Sequence, residues 1–275
     1  MRHLEALAAA ARAAQEAREA SLPLEQLREL ARKVPSARCA VEVLRSPDRA
    51  VSVIAEVKRT TATFADLTGV GDCGVMASFY EAGGAVAVSV VTESSLYHGD
   101  LADLDAVRAA VDVPVLMNDM VVTPYQVHEA RAHGADMLVL IAGAVPDVVL
   151  AGLIDRTHSL GMTAVAEVHT RREALTAVES GAEVIMVDAR DPQTCDVDRT
   201  LFEQVAEVLP AEVIRLAAGG VSGPHDVMNY ARSGADVVLV GEAILRSADP
   251  QQFVAELVAA GAHPALLSAT NREAH

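Results

Sequence analysis

Six side chains of this sequence fall at the ends of short apolar runs, where a polar group has no packing reason to be. Glu56 and Lys58 close the run that begins at Val51, and Glu167 closes the run that ends in Val168-His169. Asp188 and Arg190 follow Val184-Ile185-Met186-Val187, and Asn118 follows Val115-Leu116-Met117. A carboxylate and an ammonium two residues apart on a strand share one face, so Glu56 and Lys58 can act together in proton transfer or can fill the interior as a satisfied ion pair. Glu167 and Asp188 add two candidate acid/base carboxylates. Arg190 can clamp an anionic group through two parallel hydrogen bonds, or serve as a salt-bridge partner at a rim. Two glycine segments, Ala218-Gly219-Gly220-Val221 and Val240-Gly241-Glu242-Ala243, offer bare amides beside helix starts, which suits a phosphate. His98, His128 and His169 read as loop or helix-surface residues, and no His/Asp/Glu spacing has a metal-site pattern. Neither a metal nor a cofactor is expected.

The elements that must position these residues alternate in type. From Val51 onward, β-branched apolar runs at 51–57, 85–91, 113–117, 136–141, 163–168, 183–188, 213–217 and 236–240 alternate with helical stretches. Most are continuously apolar, as expected of parallel strands with both faces covered. Gly84, Gly134, Gly181 and Gly234 recur about 50 residues apart, each between a helical stretch and a strand, where a left-handed backbone closes a helix. A Gly-rich loop after the first strand, expected of an open doubly wound sheet, is replaced by Lys58-Arg59-Thr60-Thr61. The pattern therefore predicts a single (β/α)8 barrel, whose active site lies at the C-terminal strand ends, with phosphate held after strands seven and eight. Three helical stretches, at 2–20, at 23–34 and ending near Ser46-Pro47-Asp48, precede the barrel. The expected organisation is a helical extension over 1–50, a barrel over 51–262 and a tail over 263–275.

Composition narrows the partners. The 275 residues are 51% hydrophobic and 3% aromatic, with a formal net charge of −16. That charge repels nucleic acid, so an anionic substrate must be held by local donors. Cys39, Cys73 and Cys195 stand far apart, with neither disulfide nor zinc spacing, and this fits a reducing cytoplasm. No run approaches the roughly 18 apolar residues of a membrane span. A small phosphorylated substrate is the expected partner, with no nucleic acid or membrane, and the chain is expected to be a monomer or a weak homo-oligomer.

Ile54-Ala55-Glu56-Val57-Lys58-Arg59 resembles the first-strand signature of the indole-3-glycerol phosphate synthase family. Ser89-Val90-Val91-Thr92-Glu93, Gly99-Asp100-Leu101, Tyr125-Gln126, Glu129-Ala130-Arg131, Glu167-Val168-His169, Arg190-Asp191 and Val240-Gly241-Glu242-Ala243 continue the resemblance over roughly residues 40–260. It implies a cofactor-free carboxy-lyase that closes an indole ring on a phosphorylated N-aryl amino-sugar, with loss of carbon dioxide and water. Glu56, Lys58, Glu167 and Asp188 would be catalytic, and Arg190, Asn118 and Thr61 would bind substrate. Gly219, Gly220, Gly241 and Glu242 would hold its phosphate. The same resemblance marks departures. Asn118 stands where the family has a proton-donating lysine, Met120 where it has phenylalanine, Ala218-Gly219 where it has Glu-Ser, and Asp188 where it has asparagine. Thr60-Thr61-Ala62-Thr63 replaces a Ser-Pro-Ser region. An amide donates a hydrogen bond but not a proton near neutral pH. The departures imply one of three outcomes: a divergent synthase with Lys58 or Asp188 as acid, a different reaction on a related aryl-sugar phosphate in specialised metabolism, or a non-catalytic phosphate-ligand barrel.

Overall fold

A computed structural model describes residues 2–45, 50–60, 71–191, 194 and 196–266. Eight strands, β1 (Ser52–Val57), β2 (Ala87–Val91), β3 (Val115–Asn118), β4 (Met137–Ile141), β5 (Thr163–Val168), β6 (Val184–Asp188), β7 (Ile214–Ala218) and β8 (Val237–Val240), close in sequence order into a parallel barrel. Helices α1 (Arg2–Ser21), α2 (Leu24–Lys33) and α3 (Ala40–Leu44) precede it. Helices α4 (Cys73–Ala82), α5 (Leu101–Ala110), α6 (Pro124–Ala132), α7 (Asp147–Ser159), α8 (Arg171–Glu179), α9 (Thr200–Ala206) and α10 (Pro224–Arg232) follow β1 to β7 in turn, and α11 (Glu242–Leu245) and α12 (Pro250–Gly261) follow β8. This is the (β/α)8 architecture expected from the sequence. No helix among the described residues is long and apolar enough to cross a membrane.

Except for β5, which begins at Thr163 as expected, the observed strands begin one or two residues later than the apolar runs, because apolarity reports burial, not ladder pairing. Ala85, for example, is buried, but its amide bonds the Tyr80 carbonyl at 3.1 Å and closes α4. In the opposite sense β3 and β7 each run one residue further, to Asn118 and Ala218. Those residues pair with Val91 and Asp188.

Two packed layers follow from strand alternation. Inward residues such as Ile54, Leu116, Val139, Val165, Met186 and Leu216 fill the barrel, and Ala40 and Leu44 of α3 close its floor. Outward residues such as Val53, Ala55, Val88, Leu138 and Val187 pack under the helices. The four repeat glycines all adopt positive φ, between 83° and 94°, which a residue with a Cβ reaches only at a cost. Asp136, just after Gly134-Ala135, accepts hydrogen bonds from the Val115 amide (2.9 Å) and Arg108 Nη1 (2.6 Å), and so ties each helix exit to the preceding strand.

Candidate active site

The inward residue at the C-terminal end of each strand forms the uppermost interior layer; β1, β3, β5 and β6 make it polar with Glu56, Asn118, Glu167 and Asp188, while β4, β7 and β8 present Ile141, Ala218 and Leu239. Glu56 alternates inward with Ser52 and Ile54, and only 3% of it is exposed. Burying an anion requires donors, and three converge on Glu56. Lys58 Nζ lies 2.6 Å from Oε2, while Asn118 Nδ2 and Ser89 Oγ donate to Oε1 at 3.0 and 3.2 Å. Glu56 and Ser89 are register partners, which fixes the last of these contacts. Lys58 is thus inward and paired, as the spacing predicted, with 17% of its side chain exposed.

On the opposite wall stand Glu167 at the end of β5 and Asp188 at the end of β6. Glu167 has 12% of its side chain exposed and accepts no hydrogen bond among the described residues; His169 Nε2 lies 3.6 Å from its Oε1. Burial, then the neighbouring Asp188, Glu56 and Glu173 charges, push its carboxyl well above the ordinary range. Burial also raises Asp188, against the Arg190 amide, which donates to Oδ1 at 2.9 Å, and the nearby His169 and Arg190 side chains. Glu167, His169 and Asp188 present polar atoms within 4.8 Å of one another.

The two glycine turns complete the rim. Gly219 and Gly220 have φ of 77° and 71°. A Cβ on Gly219 would stand 2.4 Å from Asp188 Oδ1, and one on Gly241 would stand 2.8 Å from Glu56 Oε2 and 3.0 Å from Lys58 Nζ. Both turns therefore abut the charged layer and line the same cavity of about 900 Å³, with Leu4 and Leu7 of α1 in its wall. Arg190 approaches Glu242 at 3.7 Å, and Glu242 also pairs with Arg246. Arg199 donates to the Gly220 carbonyl and braces that turn.

Of the residues singled out in the sequence, Glu56, Lys58, Asn118, Glu167, Asp188, Arg190, Gly219, Gly220, Gly241 and Glu242 all line this cavity. Thr61 lies outside the described residues. Two histidines differ from expectation. His169 is no bystander, since alternation past Val168 puts it on the side of Glu167. His128 is not on a helix surface: it is 4% exposed, and neither ring nitrogen has a partner among the described residues. Sequence reading also passed over Ser89, Arg199 and the α1 leucines. Ser89 could have been found as the one polar inward residue of β2, whereas the contacts of α1 and Arg199 depend on distant chain segments.

The family model described as "Indole-3-glycerol phosphate synthase" matches residues 4–257. Curated proteins of that name are similar to this chain: 53% identical in Beutenbergia cavernae, covering 90% of this chain and 92% of the relative; 51% in Mycolicibacterium smegmatis, covering 90% of each; and 49% in a Parafrankia species, covering 96% and 98%. Among solved structures, a thiamine phosphate pyrophosphorylase from Pyrococcus furiosus superposes with a TM-score of 0.59 at 16% identity, covering 82% of this chain and 98% of that one. An N-acetylmannosamine-6-phosphate 2-epimerase from Clostridium perfringens does so with 0.60 at 19%, covering 78% and 93%. At that identity the likeness is one of fold.

Proposed function

This chain belongs to the indole-3-glycerol phosphate synthase family, and from that premise we propose that it is a carboxy-lyase acting on a phosphorylated N-aryl amino-sugar, closing the indole ring with altered proton handling. The observation that carries this reading is the placement of Lys58, held against the buried Glu56, in one cavity with the two glycine turns. An aryl-sugar phosphate has an anion at each end, a carboxylate on the ring and a phosphate on the sugar. Lys58 suits the carboxylate, Arg190 positions the sugar, and the Gly219-Gly220 and Gly241-Glu242 segments suit the phosphate. Of the N-terminal helical extension, α1 covers the cavity mouth, Leu4 and Leu7 supplying apolar cover for the aryl ring.

Ring closure needs a proton on the ketone oxygen as the aromatic carbon attacks. Asn118, standing where the resemblance places a lysine, donates its amide hydrogen to Glu56 and has no proton to give. Loss of one general acid costs about 10²–10⁴-fold in rate. The test is incubation of purified protein with carboxyphenylamino-deoxyribulose phosphate while following indole absorbance. The expected result is an indole product formed at less than about 1 per second, below the ordinary enzyme range. No product would overturn the reading of the reaction, and turnover within that range would show that the change at Asn118 costs no rate because another group supplies the acid in full.

A further inference from the structure

Glu56 and Glu167 are both buried carboxylates of the same layer, yet their surroundings are opposite. Glu56 takes three donors, one of them an ammonium, and is a fully compensated anion. Glu167 takes none among the described residues, and Asp188 and His169 face it within 4.8 Å. Two carboxylates at such range in a poorly solvated site cannot both ionise cheaply, and the less costly state has one proton between them. Lys58 does not relieve the pair, because it is bonded to Glu56. The groups facing the pair are thus Glu56 and Glu173, which favour the proton, and His169 and the Arg190 guanidinium, which oppose it at Asp188. The Arg190 amide stabilises charge on Asp188 alone. The proton therefore resides on Glu167, and the Asp188 charge keeps it there.

We propose that Glu167 and Asp188 form a single-proton acid that protonates the substrate ketone oxygen at ring closure. The inference rests on the ring-closing reaction proposed above and supplies the acid that Asn118 does not. The ring carbon bearing the carboxylate bonds to the ketone carbon, and the carbonyl π pair moves to oxygen, which takes the proton from Glu167. The pair is left doubly charged beside His169. Carbon dioxide departs and leaves its bonding electrons in the ring. The new hydroxyl then leaves as water with a proton from Lys58, while a proton from the methylene beside nitrogen returns to the Glu167–Asp188 pair. Lys58 is reprotonated from solvent, so each turnover consumes one proton and releases one carbon dioxide and one water.

The pair is tested without reference to turnover by infrared difference spectroscopy of the carboxyl groups across pH, on wild type, Glu167→Gln and Asp188→Asn. Circular dichroism of each variant verifies the fold. A protonated carboxyl signal at pH 7 is expected in wild type and absent in Glu167→Gln. In Asp188→Asn its titration midpoint should fall by about one unit or more, since the like charge is gone. In the turnover assay kcat/KM should fall as pH rises through that midpoint, and Asp188→Asn should lose about 10²–10⁴-fold near neutral pH. Absence of the pH 7 signal, or a midpoint unmoved in Asp188→Asn, overturns the pair. So does calorimetric binding of Mg²⁺, Mn²⁺ or Zn²⁺ that is lost in Glu167→Gln, which would put a cation where we put a proton. If the signal behaves as expected but no indole forms, the shared proton stands and the reaction assignment fails. If indole forms with a pH limb indifferent to Asp188→Asn, the reaction stands and the acid lies elsewhere.

Discussion

The opposed states of Glu56 and Glu167 show how little residue type alone decides. Each is a glutamate on an inward strand end, and the donors that reach it set whether it serves as a fixed anion or a proton store. Lys58 is the hinge of the first arrangement. Lys58→Ala leaves Glu56 with the Ser89 and Asn118 donors, so the fold should persist. Turnover should fall by about 10²–10⁴-fold, the value of one general acid or base. Steady-state assay beside a thermal melt distinguishes the two roles, and unchanged turnover would leave the Glu56–Lys58 pair as interior packing. Asn118→Lys alone should recover little rate, because groups that act as a unit do not contribute additively.

Among the elements, the turns after β7 and β8 set their glycine backbones, proposed above to hold the phosphate, against the charged layer. Gly219 shows why the first turn admits no side chain. Its φ of 77° is one that residues with a Cβ rarely adopt, and that Cβ would collide with Asp188 Oδ1. Gly219→Ala should therefore displace the turn, Asp188 or both, at a conformational cost of roughly 1–2 kcal/mol. The expected outcome is weaker competitive inhibition by inorganic phosphate together with lower kcat. Inhibition by phosphate that is the same in wild type and Gly219→Ala would show that this turn does not hold the anion. Helix capping supports the geometry where the chain leaves the strand ends. Thr123 and Gln126 form a capping box at α6, and Thr170 and Asp249 accept from the N3 amides of α8 and α12.

At the scale of the whole molecule, the helical extension and the barrel share one packed unit, and His128 is where that unit is sensitive to acid. It lies buried on α6, which packs on α2 and α7, with no partner for either ring nitrogen among the described residues. Burial, then the charges of Arg28, Arg156 and Arg32, lower its pKa, while Glu25 pulls weakly the other way. A base with a folded pKa below its unfolded value of about 6.5 binds more protons when unfolded, so stability is present above that value and lost as pH falls through it. The melting temperature should drop between roughly pH 7 and 5, and His128→Leu should flatten that part of the profile. Parallel profiles for the two proteins would assign the acid sensitivity to other groups.

The sequence by itself determined the barrel. Eight apolar runs, separated by helical stretches and punctuated by Gly84, Gly134, Gly181 and Gly234, admit few other closed arrangements, since strand alternation and left-handed helix exits are local properties of the chain. Alternation put Glu56 and Lys58 on one face, and position at the strand ends put Asn118, Glu167 and Asp188 at the barrel mouth. Neither could say which carboxylate is compensated, because the distances from Glu56 to Ser89 and Asn118, and from Glu167 to Asp188, depend on the register between strands and on closure of the sheet. Tertiary structure alone decided that His128 is buried and that Leu4 and Leu7 reach the cavity wall more than 150 residues from Glu167 along the chain. Periodicity constrains the direction of a side chain relative to its own strand. The partner it meets, and with it the charge it carries, is set by segments distant in sequence, and only folding brings them within hydrogen-bonding range.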